Sequence, residues 1–330
     1  MSSSTPLTGV DLVMADLDGV VYQGPAAIPH AVDALAKVQV PLAYITNNAS
    51  RTANSVAEHL SSFGLHVAAH EVVTSPQAAM RLLAPHLEPG DPVLVVGGEG
   101  LTSEVEKAGW RVVRAAADQP KAVVQGFAPD VGWTQLAEAS FALHTGIPWI
   151  ATNTDWTIPV AGGIAPGNGT LVSAVHTAVG RFPEVGGKPE QPIFTVAQER
   201  FSAQNPLMIG DRLDTDILGA QRAGIRSAIV LTGIDQAKQL LAADKTMRPD
   251  FILEDLRELH EEYPETRETF ERSTGHRYFE VGTAAVQLTE DSVNVLREGA
   301  GIDTLRAGCA AIWSSGRSIH SLKVASSLYE

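Results

Sequence analysis

Cysteine is nearly absent from this chain: Cys309 stands alone among 330 residues, which excludes an intrachain disulfide framework and any metal site built on a cysteine cluster. Basic residues are in short supply too. Lys and Arg number 24 against 38 Asp and Glu, a formal charge of −14, and such a surface repels the phosphate backbone that supplies most non-specific nucleic-acid affinity. No apolar run approaches the length of a membrane span. Met1 to Thr8 is polar and lacks the basic and apolar regions of a secretory signal. The expectation is therefore a cytoplasmic protein with no nucleic-acid partner and no membrane insertion. Material for folding is ample, since 44% of the residues are hydrophobic, and a chain longer than one typical domain implies two or three compact units.

The densest chemistry lies in Asp16-Leu17-Asp18-Gly19, directly after the short apolar run Val10, Leu12, Val13, Met14 and Ala15, which reads as a buried strand. Two acids at i and i+2 on a regular strand would point the same way and repel. The chain must turn there or bind a cation, and Gly19 permits the turn. On such a turn Asp16 can offer a carboxylate to a metal and to phosphorus, while Asp18 offers a second carboxyl that moves a proton. A strand-ending turn is the ordinary reading of an isolated D-x-D-G, so the tetrapeptide gains weight only from its company.

That company is ordered. A second apolar run, Val40 to Ile45, ends in Thr46-Asn47-Asn48, and a third, Pro206 to Ile209, ends in Gly210-Asp211-Arg212-Leu213-Asp214-Thr215-Asp216. Between them Gly186-Gly187-Lys188-Pro189 opens a helix. Strand carboxyl ends share one edge of a parallel sheet, so these segments can meet. Thr46 offers a hydroxyl and Asn47 a backbone N–H to phosphate oxygens, Lys188 a fixed cation, and Asp211 a hard oxygen ligand. Each has a plainer reading, as a helix cap, a solvated lysine, or first-turn acids at Asp214 and Asp216. An EF-hand counted from Asp211 is excluded, because Arg222 stands where the loop requires Glu.

The order D-x-D-G, T-N-N, G-K-P, G-D-x-x-x-T-D resembles the haloacid dehalogenase-like phosphatases, and within them the branch with a large α/β cap of the C2 type between the second and third motifs. The resemblance covers roughly residues 8 to 262. It implies an α/β fold: a Rossmann-like doubly wound parallel sheet core with an inserted α/β cap domain and a small C-terminal α+β tail. The expected division is a core of residues 1–80 and 184–262, a cap of 81–183 and a C-terminal module of 263–330. Strands alternating with helical patterns agree with this, as do Val56, Leu60 and Phe63 at helical spacing before Gly64.

The insert carries its own strands, Val93 to Val96, Val112 to Val113, Ala122 to Gln125 and Trp149 to Thr152, and is a domain rather than a loop. Gly97-Gly98-Glu99-Gly100 is not G-x-G-x-x-G, and Arg111 or Arg114 stands where a ribose-binding acid belongs, so it reads as a βα turn. Ala151 to Asp155 and Pro166 to Thr170 look like cap segments facing the active site in this branch. Asp155 as a turn cap and Asp155 as a substrate contact are both open. His144, Trp149 and Trp156 fit core or surface roles better than pocket roles.

Beyond the polar linker Glu261 to Glu265, Tyr278 to Leu288 and Ser292 to Leu296 read as strands, Ile302 to Trp313 as a helix, and Ile319 to Val324 as a last strand. This ββαβ pattern is too small to stand alone and should pack on the main body or on a second subunit of a homo-oligomer. A capped phosphatase with such a tail resembles the actinobacterial glycerol 3-phosphate phosphatases, whose C-terminal piece is similar to a truncated acetyltransferase-type module. Arg306-Ala307-Gly308-Cys309-Ala310 is a poor acetyl-CoA pyrophosphate loop.

What the resemblance implies for mechanism can be placed on residues. Asp16 is the nucleophile that forms an aspartyl-phosphate, and Asp18 the general acid and base. Mg²⁺, with Mn²⁺ as a substitute, is held by Asp16, the backbone carbonyl of Asp18 and Asp211, with Asp216 acting from behind them. Thr46, Asn47 and Lys188 stabilise the transferring phosphoryl group, while Asn48 and Arg51 reach toward the leaving group. The implied partner is a small phosphomonoester, glycerol 3-phosphate first, then phosphoglycolate, pyridoxal phosphate or a nucleoside monophosphate. The competing classes are a regulatory protein on a phosphatase scaffold and an acyl-CoA-binding protein.

Overall fold

The structure, a computed structural model, describes residues 4–160 and 162–329. The chain forms two compact units: Met1–Pro41 with Asn205–Glu330, and Leu42–Gln204.

In the first unit four parallel strands run in the order Phe251–Leu253, Arg226–Val230, Pro206–Gly210 and Leu12–Ala15. Leu12–Ala15 (LVMA) and Pro206–Gly210 (PLMIG) are buried at every position, as near-continuous apolar strands covered on both faces must be. Their register pairs Ala15 with Ile209, so Asp16 and Asp211 leave the sheet side by side at its carboxyl edge. The C-terminal segment adds a second sheet, in the order Thr266–Glu271, His276–Val281, Ala284–Leu288, Ser292–Arg297 and Lys323–Val324, antiparallel except for the last pair. The stretch Tyr278 to Leu288, read from sequence as one strand, is two. Gly282 at φ 53° turns the chain between them. Thr266–Glu271 is a strand inside the segment expected to be linker and module start, and every one of its residues is exposed, which erased the alternation that marks a half-buried strand.

The tail does not fold apart. Phe279, Val281, Val286, Leu305, Cys309 and Ile312 join Leu213, Ile217, Leu240, Leu241 and Ile252 in one apolar cluster. The tail helix Asp303–Ser315 also drives a polar bolt into the body. Arg306, 7% exposed, donates to the Ile252 carbonyl at 3.0 and 2.7 Å, pairs with Glu258 at 2.7 Å and Asp303 at 2.9 Å, and lies over the Tyr263 ring. Arg306 to Ala310 are therefore helix interior, not a pyrophosphate-binding loop.

The second unit pairs Leu42–Thr46 in parallel with Val72–Thr74. It also holds a five-stranded parallel sheet ordered Glu184–Val185, Trp149–Ala151, Ala122–Gln125, Pro92–Val96, Arg111–Val113. The helices Glu99–Lys107, Trp133–Leu143 and Asn168–Val179 flank it, burying Leu101, Val105, Ala139, Leu143, Val172 and Val175 against the strands. Gly98 caps the Glu99–Lys107 helix, and the Arg114 guanidinium donates to the carbonyls of Val95 (2.7 Å) and Gly97 (3.2 Å), filling the strand end that a dinucleotide would need. Trp149 is core, whereas His144 and Trp156 are exposed.

Replacing Arg306 by Ala leaves Glu258 and Asp303 without their counter-charge. Breaking a buried pair costs about 3–5 kcal/mol, and the water still reaching both carboxylates puts the expected loss near ~3 kcal/mol in urea unfolding. Burial pushes the Cys309 thiol up, so in the native protein it should resist thiol reagents. Arg306→Ala should expose it to labelling at sub-denaturing urea, and identical labelling rates in both proteins would disprove the bolt.

Candidate active site

The acidic motif leaves the sheet at once. After Ala15 the chain curls, and the Leu17 carbonyl accepts N–H groups from Val20 (3.3 Å), Val21 (2.8 Å) and Tyr22 (3.2 Å). Gly19 takes φ 81°, a left-handed conformation that favours glycine. This curl separates the two acids as the sequence demanded. Asp16 is half-buried, its N–H bonded to the Ile209 carbonyl at 2.9 Å, while Asp18 is exposed with the Tyr22 hydroxyl 3.4 Å from its Oδ2.

Asp211 and Asp216 are buried. The segment Leu213–Ile217 winds as a π-helical turn ahead of the helix Leu218–Arg222, its Ile217 N–H reaching the Arg212 carbonyl at 3.2 Å. Such turns re-aim side chains, and here the turn brings Asp216 back so that its Oδ2 accepts the Arg212 N–H at 3.1 Å. One oxygen from each of Asp16, Asp211 and Asp216 lies within 4.8 Å of the others. Asp214 points away and pairs with Arg212 at 2.8 Å in solvent.

Glycine makes room for the cluster. A Cβ at Gly19 or Gly233 would fall on the Asp211 carboxylate, and one at Gly210 on that of Asp216. The loop after Arg226–Val230 completes the frame: the Ile234 N–H donates to Asp211 Oδ2 at 2.7 Å, the Asp235 N–H to the Asp211 carbonyl at 3.1 Å, and the Thr232 hydroxyl to the Gly19 carbonyl at 2.7 Å. Asp235 accepts the Leu213 N–H at 2.7 Å, and burial pushes its carboxyl above the usual range with Asp214 and Asp216 adding to the shift. Sequence reading missed this loop. The signal was available, since Thr232-Gly233 follows an apolar run as the recognised motifs do. Three hard oxygens on a glycine-walled floor fit a divalent cation of the magnesium or calcium type.

In the second unit Thr46 is buried and its Oγ accepts the Asn48 N–H at 3.1 Å, which leaves the hydroxyl proton to donate elsewhere. Lys188 is 3% exposed, its main chain bound to the Asn47 carboxamide. Ser75 Oγ and Asn153 Nδ2 both donate to the Asn47 carbonyl, at 2.8 and 2.7 Å. Asn48 is exposed, and its Oδ1 accepts from Ser50 N–H (2.9 Å), the Ser50 hydroxyl (2.9 Å) and Arg51 N–H (3.2 Å), closing its own turn. Arg51 is exposed at the entrance to the helix Ala53–Ser62.

Residues 13–111 match the family model of haloacid dehalogenase-like hydrolases and residues 185–259 a HAD-hydrolase-like model. The chain is 45% identical over 252 residues to D-glycerol 3-phosphate phosphatase of Mycobacterium tuberculosis, covering 76% of this chain and 71% of that protein. It is 32% identical over 248 residues to an acid sugar phosphatase of Staphylococcus haemolyticus, covering 74% and 92%. The crystal structure of the Mycobacterium tuberculosis glycerol phosphate phosphatase in complex with magnesium superposes with a TM-score of 0.87 at 38% identity, covering 98% of this chain and 94% of that one. Parallel strands with acids at their carboxyl ends define an α/β enzyme of the Rossmann-like, doubly wound class. The chain belongs to the haloacid dehalogenase-like hydrolases.

Gly233→Ala should place a methyl group on the Asp211 carboxylate and displace it. The overpacking costs about 1–3 kcal/mol. The measurement is the thermal midpoint with and without Mg²⁺: wild type is expected to rise on adding metal and Gly233→Ala to show no rise.

Proposed function

We propose that this chain is a Mg²⁺-dependent phosphomonoester hydrolase whose substrate is glycerol 3-phosphate. The observation that carries the activity is the convergence of Asp16, Asp211 and Asp216 at the carboxyl ends of neighbouring parallel strands. The substrate follows from the 45% identity to a D-glycerol 3-phosphate phosphatase. On this reading the Asp16 carboxylate attacks phosphorus, an acyl phosphate bond forms, and the ester P–O bond breaks. Asp18 gives its proton to the departing alkoxide. Asp18 then removes a proton from the water that opens the aspartyl-phosphate, releasing inorganic phosphate and restoring Asp16. The exposure of Asp18 beside a half-buried Asp16 supports this split of roles.

Asp16, the Asp18 carbonyl and Asp211 would hold Mg²⁺, with Asp216 bracing from its buried position. When bound, the ion supplies positive charge that lets a carboxylate approach a phosphate dianion. Lys188, the Thr46 hydroxyl and the Asn47 N–H carry charge on the transferring phosphoryl oxygens. Asn48 and Arg51, both exposed, are assigned to the leaving-group side. Among the described residues no helix is long and apolar enough to cross a membrane, and the reading takes a small diffusing phosphate ester as partner and the cytoplasm as compartment.

Asp16→Asn should remove turnover in a folded protein, because an amide neither attacks phosphorus nor carries the ligand charge. Asp18→Asn should lose more on glycerol 3-phosphate than on p-nitrophenyl phosphate, whose phenolate leaves without a proton. Near-wild-type rates for folded Asp16→Asn would sink the covalent mechanism, and equal losses of Asp18→Asn on both esters would remove the leaving-group acid. After EDTA, Mg²⁺ or Mn²⁺ should restore activity. Ca²⁺, which favours more oxygen ligands at longer distances, should inhibit, because it would compete with phosphorus for the Asp16 carboxylate.

A further inference from the structure

The Asn47 carboxamide has three groups to satisfy. Its Nδ2 donates to Asp155 Oδ1 at 3.1 Å, to Asp155 Oδ2 at 3.2 Å and to the Lys188 carbonyl at 3.0 Å, while its Oδ1 accepts the Lys188 N–H at 2.8 Å. One side-chain amide thus spans both polar groups of the Lys188 main chain, and with Asp155 on its other N–H both of its donors are in use. Its contribution to a phosphate ligand is left to the backbone N–H.

The amide could meet Lys188 in this way only with its NH₂ edge on one side. Asp155 holds the amide on that same side, because a carboxylate accepts from the NH₂ edge and would repel the amide oxygen. We propose that Asp155 is a positioning residue that acts through Asn47 to hold the Lys188 main chain, and with it the root of the lysine side chain. The inference rests on the reading of Lys188 as a residue that stabilises phosphoryl charge.

The loop around Asp155 is built for rigidity. Asn153 Oδ1 accepts the Asp155 N–H at 3.2 Å, and Asn153 Nδ2 donates to the Asn47 carbonyl at 2.7 Å. Asn168, 1% exposed at the start of its helix, donates to the Asn153 carbonyl at 2.7 Å. Glycines at 167 and 169 leave space for the backbone of residues 154 and 155, and a Cβ at Gly187 would strike both Asn47 Oδ1 and the Thr152 carbonyl. The Gly186 and Gly187 N–H groups in turn bind the Ala151 and Thr152 carbonyls at 3.0 and 2.7 Å. The Asp155 main chain is therefore held in one polar network with Asn47.

The test compares Asp155→Ala and Asp155→Asn with wild type on glycerol 3-phosphate and p-nitrophenyl phosphate, together with orthovanadate inhibition and hydrogen exchange at the Lys188 amide. Asp155→Ala should lower kcat about tenfold by the same factor on both esters, with KM little changed, and weaken vanadate to match. Asp155→Asn, whose amide oxygen can still accept from Asn47, should recover most of that loss. Exchange of the Lys188 amide should speed up in Asp155→Ala and return toward wild type in Asp155→Asn. A loss confined to one ester would make Asp155 a substrate contact and overturn the proposal, as would Lys188 exchange that stays unchanged in Asp155→Ala. Absence of turnover by the wild type on either ester would instead defeat the phosphatase reading, and the exchange data would still decide the positioning role.

Discussion

The mutual repulsion of Asp16, Asp211 and Asp216, whose oxygens gather within 4.8 Å, is the constraint that its surroundings answer. At an effective dielectric near 20, two unit charges about 4 Å apart oppose each other by about 4 kcal/mol. Left to themselves the carboxylates would swing apart. They are prevented from doing so by backbone donors on Asp211 and Asp216, by the glycines that wall them in, and by the loop from Thr232 to Asp235 that closes over the turn. Strain of this kind is tolerated where a cation reverses the sign of the interaction, and the structure spends rigid backbone on the one place where relaxed packing would have removed the chemistry.

The second unit solves the opposite problem. Lysine is flexible and strongly hydrated, and at Lys188, 3% exposed, the main chain at the root of that side chain is itself held. Asn47 does that holding directly, and Ser75, Asn153 and Asn168 support it in turn by donating to the carbonyls of Asn47 and Asn153. Such bonds keep their geometry at high salt, where paired surface charges would weaken.

Strand-end motifs were legible because buried parallel strands are short apolar runs, and whatever follows them falls on a common edge. Asp16, Thr46 and Asp211 were read by that rule as standing at strand ends, and they do stand there. Thr232 and Gly233 obey it equally and were overlooked, since neither residue type advertises chemistry on its own. The sheet of the tail was half legible. Ala284–Leu288 carries an apolar face and announced itself, whereas Thr266–Glu271 buries nothing and so has no periodicity to read. Arg306 was weighed as part of a failed cofactor loop when its task is structural, because sequence records the residue and not the carbonyl 54 positions away that it binds. The role of the Asn47 amide was invisible for the same reason, with its partner Asp155 lying 108 residues along the chain.

The shared core of body and tail also sets the order in which this molecule can be made. The strand Leu12–Ala15 must wait for Pro206–Gly210, and Leu213, Ile217 and Leu240 must wait for the helix Asp303–Ser315 before their apolar surface is covered. Contacts between distant segments form late and slowly. During synthesis the intervening unit can fold on emergence, but the turn that carries Asp216 keeps an uncovered flank until the helix Asp303–Ser315 has been made. The packing beneath the acidic site is consequently completed only by residues about 90 positions further along the chain, and until they arrive the underside of that turn is an apolar surface that a chaperone shielding a nascent chain could cover.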